Sequence, residues 1–286
     1  MTGTAGTRIV TGMSTDPRQI ATDNERIAET GGYRTTDGTA VDISGTLAAA
    51  CAGTVSYAPG HDVSGGPRGP FAGTPEVTAE GSVDAAQRLY DRGGTHVAIL
   101  NFASARNPGG GYLRGARAQE EDLCRSALLH RTLLRAPDYY ANHRASSDLN
   151  YSHHIIYSPG VPVIRDGRGE LVAQPIPVSF LTSPAPNAGQ LAQHAGRPID
   201  VREVLIERAD RVLAVAAAHG VRDLVLGAWG CGVFRNDPNQ VAEAFELALR
   251  THGAAFDHIV FAVWDRSPVS ANRSAFEARF GAAVSP

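Results

Sequence analysis

The chain reads as an α/β protein, a three-layer α/β/α sandwich, on three observations. From residue 82 onward, apolar runs of strand length alternate with stretches of helix length, the order that builds a sheet between layers of helices. Two of those runs lead into glycine-rich loops near residues 109–111 and 227–232, and in such folds ligands bind in the loops beyond the carboxyl ends of strands. Neither an internal repeat nor a clear linker divides the 286 residues. One domain is therefore expected over 17–286, behind a disordered tail at 1–16 that is rich in Thr, Gly and Ser.

In chain order, a polar helix is expected at 17–30, ended by Gly31-Gly32. An alanine-rich segment at 47–52, helix or coil, leads to a strand at 54–57. Residues 58–75 hold five glycines and four prolines and read as an irregular loop. A helix at 83–92 is capped by Gly93-Gly94, and 97–102 is a buried strand that runs into the first glycine loop. A helix at 119–135 places Leu123, Ala127, Leu128 and Leu134 on one apolar stripe. Strands follow at 154–157 and 161–164, broken by Pro159-Gly160, and at 178–182 before a proline-rich bend. A long helix at 201–219 is capped by Gly220. Strand 224–226, the second glycine loop, helix 238–251, strand 259–263 and helix 270–280 complete the chain.

Composition excludes several function classes. The chain is 43% hydrophobic and 19% charged, ordinary for a globular protein, and its net charge of −3 supplies no basic field for nucleic acid. All 26 basic residues are arginine, which rules out lysine Schiff-base chemistry and a Walker-type phosphate loop. Cys51, Cys124 and Cys231 are odd in number and lack CxxC spacing, which favours a reducing cytoplasm over a disulfide framework or a zinc site. Neither a signal peptide nor an apolar run of membrane-spanning length is read from the sequence. His153 and His154 are adjacent on an expected strand, so they point to opposite faces and do not share an ion.

The chemistry gathers at residues 109–121. Gly109, Gly110 and Gly111 form the tripeptide that loses most freedom on ordering, tolerated where a side chain would collide with an approaching ligand. Gln119, Glu120, Glu121 and Asp122 open the following helix, more negative charge than its dipole requires. Crowding raises at least one carboxyl pKa and the helix terminus lowers it; the sequence leaves the balance open. Three glycines followed after a short gap by Gln-Glu-Glu, with Asn101-Phe102-Ala103-Ser104 upstream, resemble the signature of the poly(ADP-ribose) glycohydrolases of compact bacterial type.

The second loop, Gly227 to Pro238, joins a buried strand to a helix with Asp237 as N-cap and Pro238 in the first turn. Turns of this kind present backbone N–H groups to phosphate. Its Gly-x-Gly-Val-Phe, Gly230 to Phe234, is similar to the diphosphate loop of the same family.

The resemblance, carried by residues 96–265, implies the macrodomain fold: a mixed sheet between helices, here with an N-terminal helical extension. It implies hydrolysis of the ribose–ribose O-glycosidic bond of poly(ADP-ribose) with release of ADP-ribose. Glu121 then takes the acid/base role, Glu120 holds ribose hydroxyls, and Gln119 orders the loop. Gly230, Cys231, Gly232 and Val233 lie against the diphosphate and Phe234 against the ribose. An upstream asparagine contacting the distal ribose falls on Asn107, with Ser104 as the other candidate. Cys231 itself reads as a small filler, and Arg114 and Arg117 as phosphate ligands or solvated charges alike. No metal or organic cofactor is implied, and the expected partners are poly(ADP-ribose), ADP-ribose and the ADP-ribosylated proteins that carry them. Rival readings are a non-catalytic ADP-ribose reader and a hydrolase of single ADP-ribose units on protein or DNA. Trp229 and Trp264 end strands and are expected in the core rather than stacked on a base.

Overall fold

The computed structural model describes residues 15–196, 200–265, 267 and 269–281. The tail expected at 1–16 falls outside these residues except for Thr15 and Asp16; Asp16 caps the first helix by accepting from Arg18 N–H at 3.0 Å. That helix, α1 (Pro17–Thr30), ends at Gly31 and is followed by a hairpin of β1 (Gly32–Arg34) and β2 (Ala40–Asp42). Then come α2 (Ser44–Ala52), β3 (Val55–Tyr57), β4 (Glu76–Thr78), α3 (Ser82–Asp91) and β5 (Val97–Phe102). The middle of the chain forms α4 (Gln119–Ser126), α5 (Leu129–Leu133), α6 (Pro137–Ala145), β6 (Ile155–Arg165) and β7 (Leu171–Ser183). It ends with α7 (Ala188–Ala195), α8 (Arg202–Ala218), β8 (Asp223–Leu226), α9 (Pro238–His252), β9 (His258–Ala262) and α10 (Ala271–Phe280).

Seven strands form one mixed sheet in the order β3-β6-β7-β5-β8-β9-β4. β7, β5, β8, β9 and β4 run parallel, while β6 pairs antiparallel with both β3 and β7. Side chains of a strand alternate between its faces. Ile99 accordingly packs with helices α1 to α6, whereas Ala98 and Leu100 pack with α8, α9 and α10. The expected three layers follow. Because β5 and β8 are parallel neighbours, the loops after Phe102 and Leu226 leave the same edge of the sheet. Phe102 reaches the second loop: its Cζ stands 3.1 Å from where a Cβ on Gly227 would be.

Two expected elements differ. The helix at 119–135 is interrupted at Ala127, which turns extended (φ −120, ψ 162) and bridges to Val163, while Leu128 N–H donates to Pro162 O at 3.1 Å. The apolar stripe is thereby split, and Leu134 is exposed. Pro159-Gly160 does not end a strand: it forms a register shift inside one continuous β6 between Ser158 and Val161. Trp229 is fully buried as expected, with its indole N–H on Ser183 O at 3.1 Å. Trp264, by contrast, is 61% exposed just beyond β9, because the chain has already left the sheet at Ala262.

Helix α1 closes over the first glycine loop from the side. Tyr112 OH donates to Ala21 O at 3.2 Å, and Arg18 Nε to Arg114 O at 3.1 Å. Buried Asn24 joins three elements: its amide donates to Cys124 O and Arg125 O, and its Oδ1 accepts from Arg165 Nε at 3.0 Å.

Candidate active site

Both glutamates are buried, Glu120 at 3% and Glu121 at 7% exposure. The start of α4 is fixed to β5 by Gln119, whose Oε1 accepts from Phe102 N–H and whose Nε2 donates to Leu100 O, each at 2.8 Å. A side-chain amide thus takes the place of a strand partner at the carboxyl end of β5. Glu121 is held by two backbone donors, Gly111 N–H at 2.7 Å and Ala118 N–H at 3.0 Å, one to each carboxyl oxygen. The second of these is a helix-capping bond, so this carboxyl also serves the helix terminus. Each oxygen keeps a further lone pair for a proton or a ligand.

Gly110 shows why the loop is glycine. Its φ is +60, and a Cβ there would lie 2.4 Å from Glu121 Oε1 and 3.0 Å from Glu120 Oε2. The expected collision is therefore with the protein's own carboxylates first.

Glu120 accepts from Ser104 N–H at 2.7 Å and from the Asn101 amide at 3.3 Å. Burial pushes its pKa up to about 8, against the downward pull of those donors and with a further upward push from the Glu121 charge. Asn101, missed as a site residue, carried a signal. It is a lone amide in a buried strand, two residues from Ile99 and so on the face toward α4. Beneath the pair, the hydroxyls of Tyr139 and Tyr140 on α6 are buried without a partner and are held protonated by burial and by the Glu120 charge.

The raised Glu120 pKa has a signed consequence. Between the unfolded value of 4.5 and the folded value near 8, the folded state binds more protons than the unfolded one. This contribution to stability is complete below the lower value and is lost as pH rises through the upper. Melting temperature should therefore fall from pH 5 to pH 9, by an equivalent on the order of a few kcal/mol, and the slope should flatten in Glu120→Gln. Parallel slopes in the two proteins would exclude this origin.

Asn107 is exposed, and its backbone N–H, like that of Arg106, goes to Ser104 Oγ. Arg114 and Arg117 are exposed. Arg125, not singled out from the sequence, returns from α4 to hold Ala116 O at 2.7 Å and pairs with Asp122.

In the second loop Gly230 has φ +72, and a Cβ would strike Asn236 Nδ2 at 2.3 Å and Ala185 at 2.4 Å. Buried Asn236 donates to Pro186 O at 3.0 Å and Gly230 O at 3.2 Å, binding the loop to the bend after β7. Gly232 and Val233 are exposed, Phe234 is half-buried, and its ring centroid lies 6.0 Å from that of Tyr151. Among the described residues no acceptor faces the N–H groups of Gly230, Gly232, Val233 and Phe234. Four unclaimed donors in one turn suit an anion. The Cys231 thiol is pushed up to about 12, mainly by burial, which suits a filler rather than a nucleophile. Asp237 caps α9 by accepting from Asn239 N–H at 2.9 Å.

A cavity of about 340 Å³ opens at the other edge of the sheet, among His96, Tyr157, Ser179 and His219. Its lining holds no carboxylate, whereas the two loops bring buried carboxyls and backbone donors to the opposite edge. Among the described residues no group of three His, Cys, Asp or Glu side chains is placed to hold a metal ion, and no helix is long and apolar enough to cross a membrane.

Paired buried carboxyls and a donor-lined glycine turn, brought to the same edge of a mixed sheet by neighbouring parallel strands, suit a glycosidase, and its relatives make it one of the poly(ADP-ribose) glycohydrolase class. The chain belongs to the microbial-type PARG catalytic domain family, whose model matches residues 21–166. It is similar to the poly(ADP-ribose) glycohydrolase of Thermomonospora curvata, at 46% identity over 93% of this chain and 100% of that one, with a TM-score of 0.85. The same relative is known bound to the inhibitor ADP-HPD. The poly(ADP-ribose) glycohydrolase of Deinococcus radiodurans in complex with ADP-ribose is similar at 45% identity over 84% of this chain and 98% of that one, with a TM-score of 0.75. No curated protein matches significantly. The resemblance read from the two loops, and the mixed macrodomain-like sheet it implied, both hold.

Proposed function

We propose that the chain is a single-domain poly(ADP-ribose) glycohydrolase that works in the cytoplasm on polymer carried by ADP-ribosylated proteins. It hydrolyses the ribose–ribose O-glycosidic bond and releases ADP-ribose. The observation that carries the reading is the Glu121 carboxyl, fixed between Gly111 N–H and Ala118 N–H beside a second buried carboxyl. Glu121 gives its proton to the departing ribose oxygen as the C–O bond breaks. It then takes a proton from the water that attacks the oxocarbenium-like carbon, so one carboxyl does acid and base duty in turn. This differs from the two-carboxylate division of ordinary glycosidases. Glu120 accepts or donates to ribose hydroxyls, and Gln119 keeps both carboxyls in register with β5. The free N–H groups of Gly230, Gly232, Val233 and Phe234 hold the diphosphate, Phe234 packs on the ribose, and Asn107 meets the distal ribose.

Incubation with poly(ADP-ribose), and separately with mono-ADP-ribosylated protein and DNA, in buffer containing EDTA, tests this. Release of ADP-ribose from the polymer is expected. Binding without release would make the chain a reader, and release from the mono-modified targets alone would make it a hydrolase of single units.

The half-buried Phe234 gives a second check. Phe234→Ala frees the ribose to turn away from Glu121, and misplacing a reacting group by about 1 Å reduces rate on the order of 100-fold. Turnover should fall more than melting temperature. A loss of about 3–5 kcal/mol in stability with turnover intact would make Phe234 a core residue instead.

A further inference from the structure

Arg208 on α8 is fully buried and makes no ion pair among the described residues. Its guanidinium donates to two backbone carbonyls, Pro184 O and Asn150 O, each at 2.8 Å, and its Nε has no partner. The acidic groups it feels, Glu207 and Asp148, are both exposed. Burial lowers its pKa only to about 10, so it stays charged at neutral pH. A buried, uncompensated cation is unfavourable for folding alone, which directs attention to what surrounds it.

Each of its carbonyl partners adjoins in sequence a residue that packs against the second glycine loop. Pro184 opens the bend in which Ala185 abuts Gly230, Pro186 O receives the Asn236 amide, and Asn187 N–H donates to Leu149 O at 2.8 Å. Asn150 precedes Tyr151, whose ring faces Phe234. The loop itself has no buried cation of its own, since Arg235 is exposed.

We propose that Arg208 is a built-in counter-charge for the substrate diphosphate, an unpaired guanidinium behind the second glycine loop that attracts the anion through the protein without touching it. The proposal rests on reading that loop as the diphosphate site. Coulomb attraction reaches through a low-dielectric interior with little screening by salt, whereas an exposed arginine would lose most of its effect. Arg208 is on this account a positioning residue, acting on binding rather than on bond cleavage.

Calorimetric binding of ADP-ribose and of uncharged adenosine, with polymer kinetics, on wild type, Arg208→Gln and Arg208→Lys tests it. Arg208→Gln should weaken ADP-ribose binding by about tenfold or more and leave adenosine within about twofold, raising KM with kcat nearly unchanged. Arg208→Lys, which keeps the charge, should recover most of the ADP-ribose affinity. Equal weakening of both ligands by Arg208→Gln, or a lysine variant as impaired as the glutamine one, would overturn the proposal and leave Arg208 a clamp on two loops. A wild type that binds neither ligand would instead sink the assignment of the loop. If the Arg208 variants do not fold, Glu207→Gln combined with Asp148→Asn decides. Removing these exposed negative neighbours should tighten ADP-ribose about twofold at low salt and not adenosine, and unchanged or weaker ADP-ribose binding overturns the proposal.

Discussion

Glu121→Gln is expected to yield a folded protein that binds ADP-ribose and turns polymer over roughly 10²–10⁴ times more slowly. The amide keeps the shape of the carboxyl but cannot pass a proton to the departing oxygen. The geometry adds a stability effect to this expectation. Glu121 accepts from two backbone N–H groups, and glutamine offers only one acceptor oxygen, so its NH2 must face either Gly111 N–H or Ala118 N–H. That mismatch destabilises by about 1–3 kcal/mol, a penalty visible as a lower melting temperature but too small to unfold a typical domain. Turnover within tenfold of wild type, with the glutamine in place, would remove Glu121 from the acid/base role.

Gly110→Ala should be as damaging by a different route. The new Cβ would stand 2.4 Å from Glu121 Oε1, and that carboxyl cannot step aside without breaking its bonds to Gly111 and Ala118. The left-handed backbone adds strain on the order of 1 kcal/mol. Loss of turnover on the order of 100-fold or more is expected from the displaced acid. Gly220→Ala is the matched control: its φ is +69 and a Cβ there meets nothing within 4 Å. It should lower melting temperature while leaving turnover alone. Equal activity loss in both variants would mean that backbone strain, not displacement of Glu121, is responsible.

Where the sequence was read well, local chemistry and tertiary structure agreed. Helix α1 is bounded by its Asp16 cap and Gly31, and α9 by Asp237 with Pro238 in its first turn, so pattern and termini coincide. Strand β5 is apolar through Leu100 and buried on both faces, as a central parallel strand must be. The misreadings arose where distant partners decided. Ala127 has high helix propensity, yet β6 recruits its backbone into a bridge with Val163. Pro159-Gly160 looks like a strand break from sequence alone, but the long ladder to β7 absorbs it as a bulge. Strands β1, β2 and β4, three residues each, are too short for a period to register. Helix α6 does carry start signals in the sequence, Pro137 at its start and Asp138 in its first turn, but no apolar stripe to go with them.

The same limit applies to the site. Glycine loops and paired glutamates are local in sequence and were legible as motifs. Asn101 shows in sequence only as a lone amide on a buried strand, Arg125 acts within its own turn and loop, and Arg208 holds backbone 24 and 58 residues away, which no spacing rule encodes. Trp264 shows the converse, an aromatic at a strand end whose exposure depended on where the sheet stopped.

Helix α1 has a consequence for how the enzyme comes into being. Its 14 residues form too short a helix to persist alone in water, so it folds on docking. The backbone that Asn24 grips lies 101 residues downstream at Arg125. At a synthesis rate of about 5–20 residues per second, the nascent segment waits on the order of ten seconds for its seat to emerge from the ribosome. Ile20, Ala21 and Ile27, all buried once docked, have no partner during that interval. Helix α1, the wall of the first glycine loop, is thus made well before the backbone it grips, and that loop stays open on this side until the segment through Arg125 has emerged.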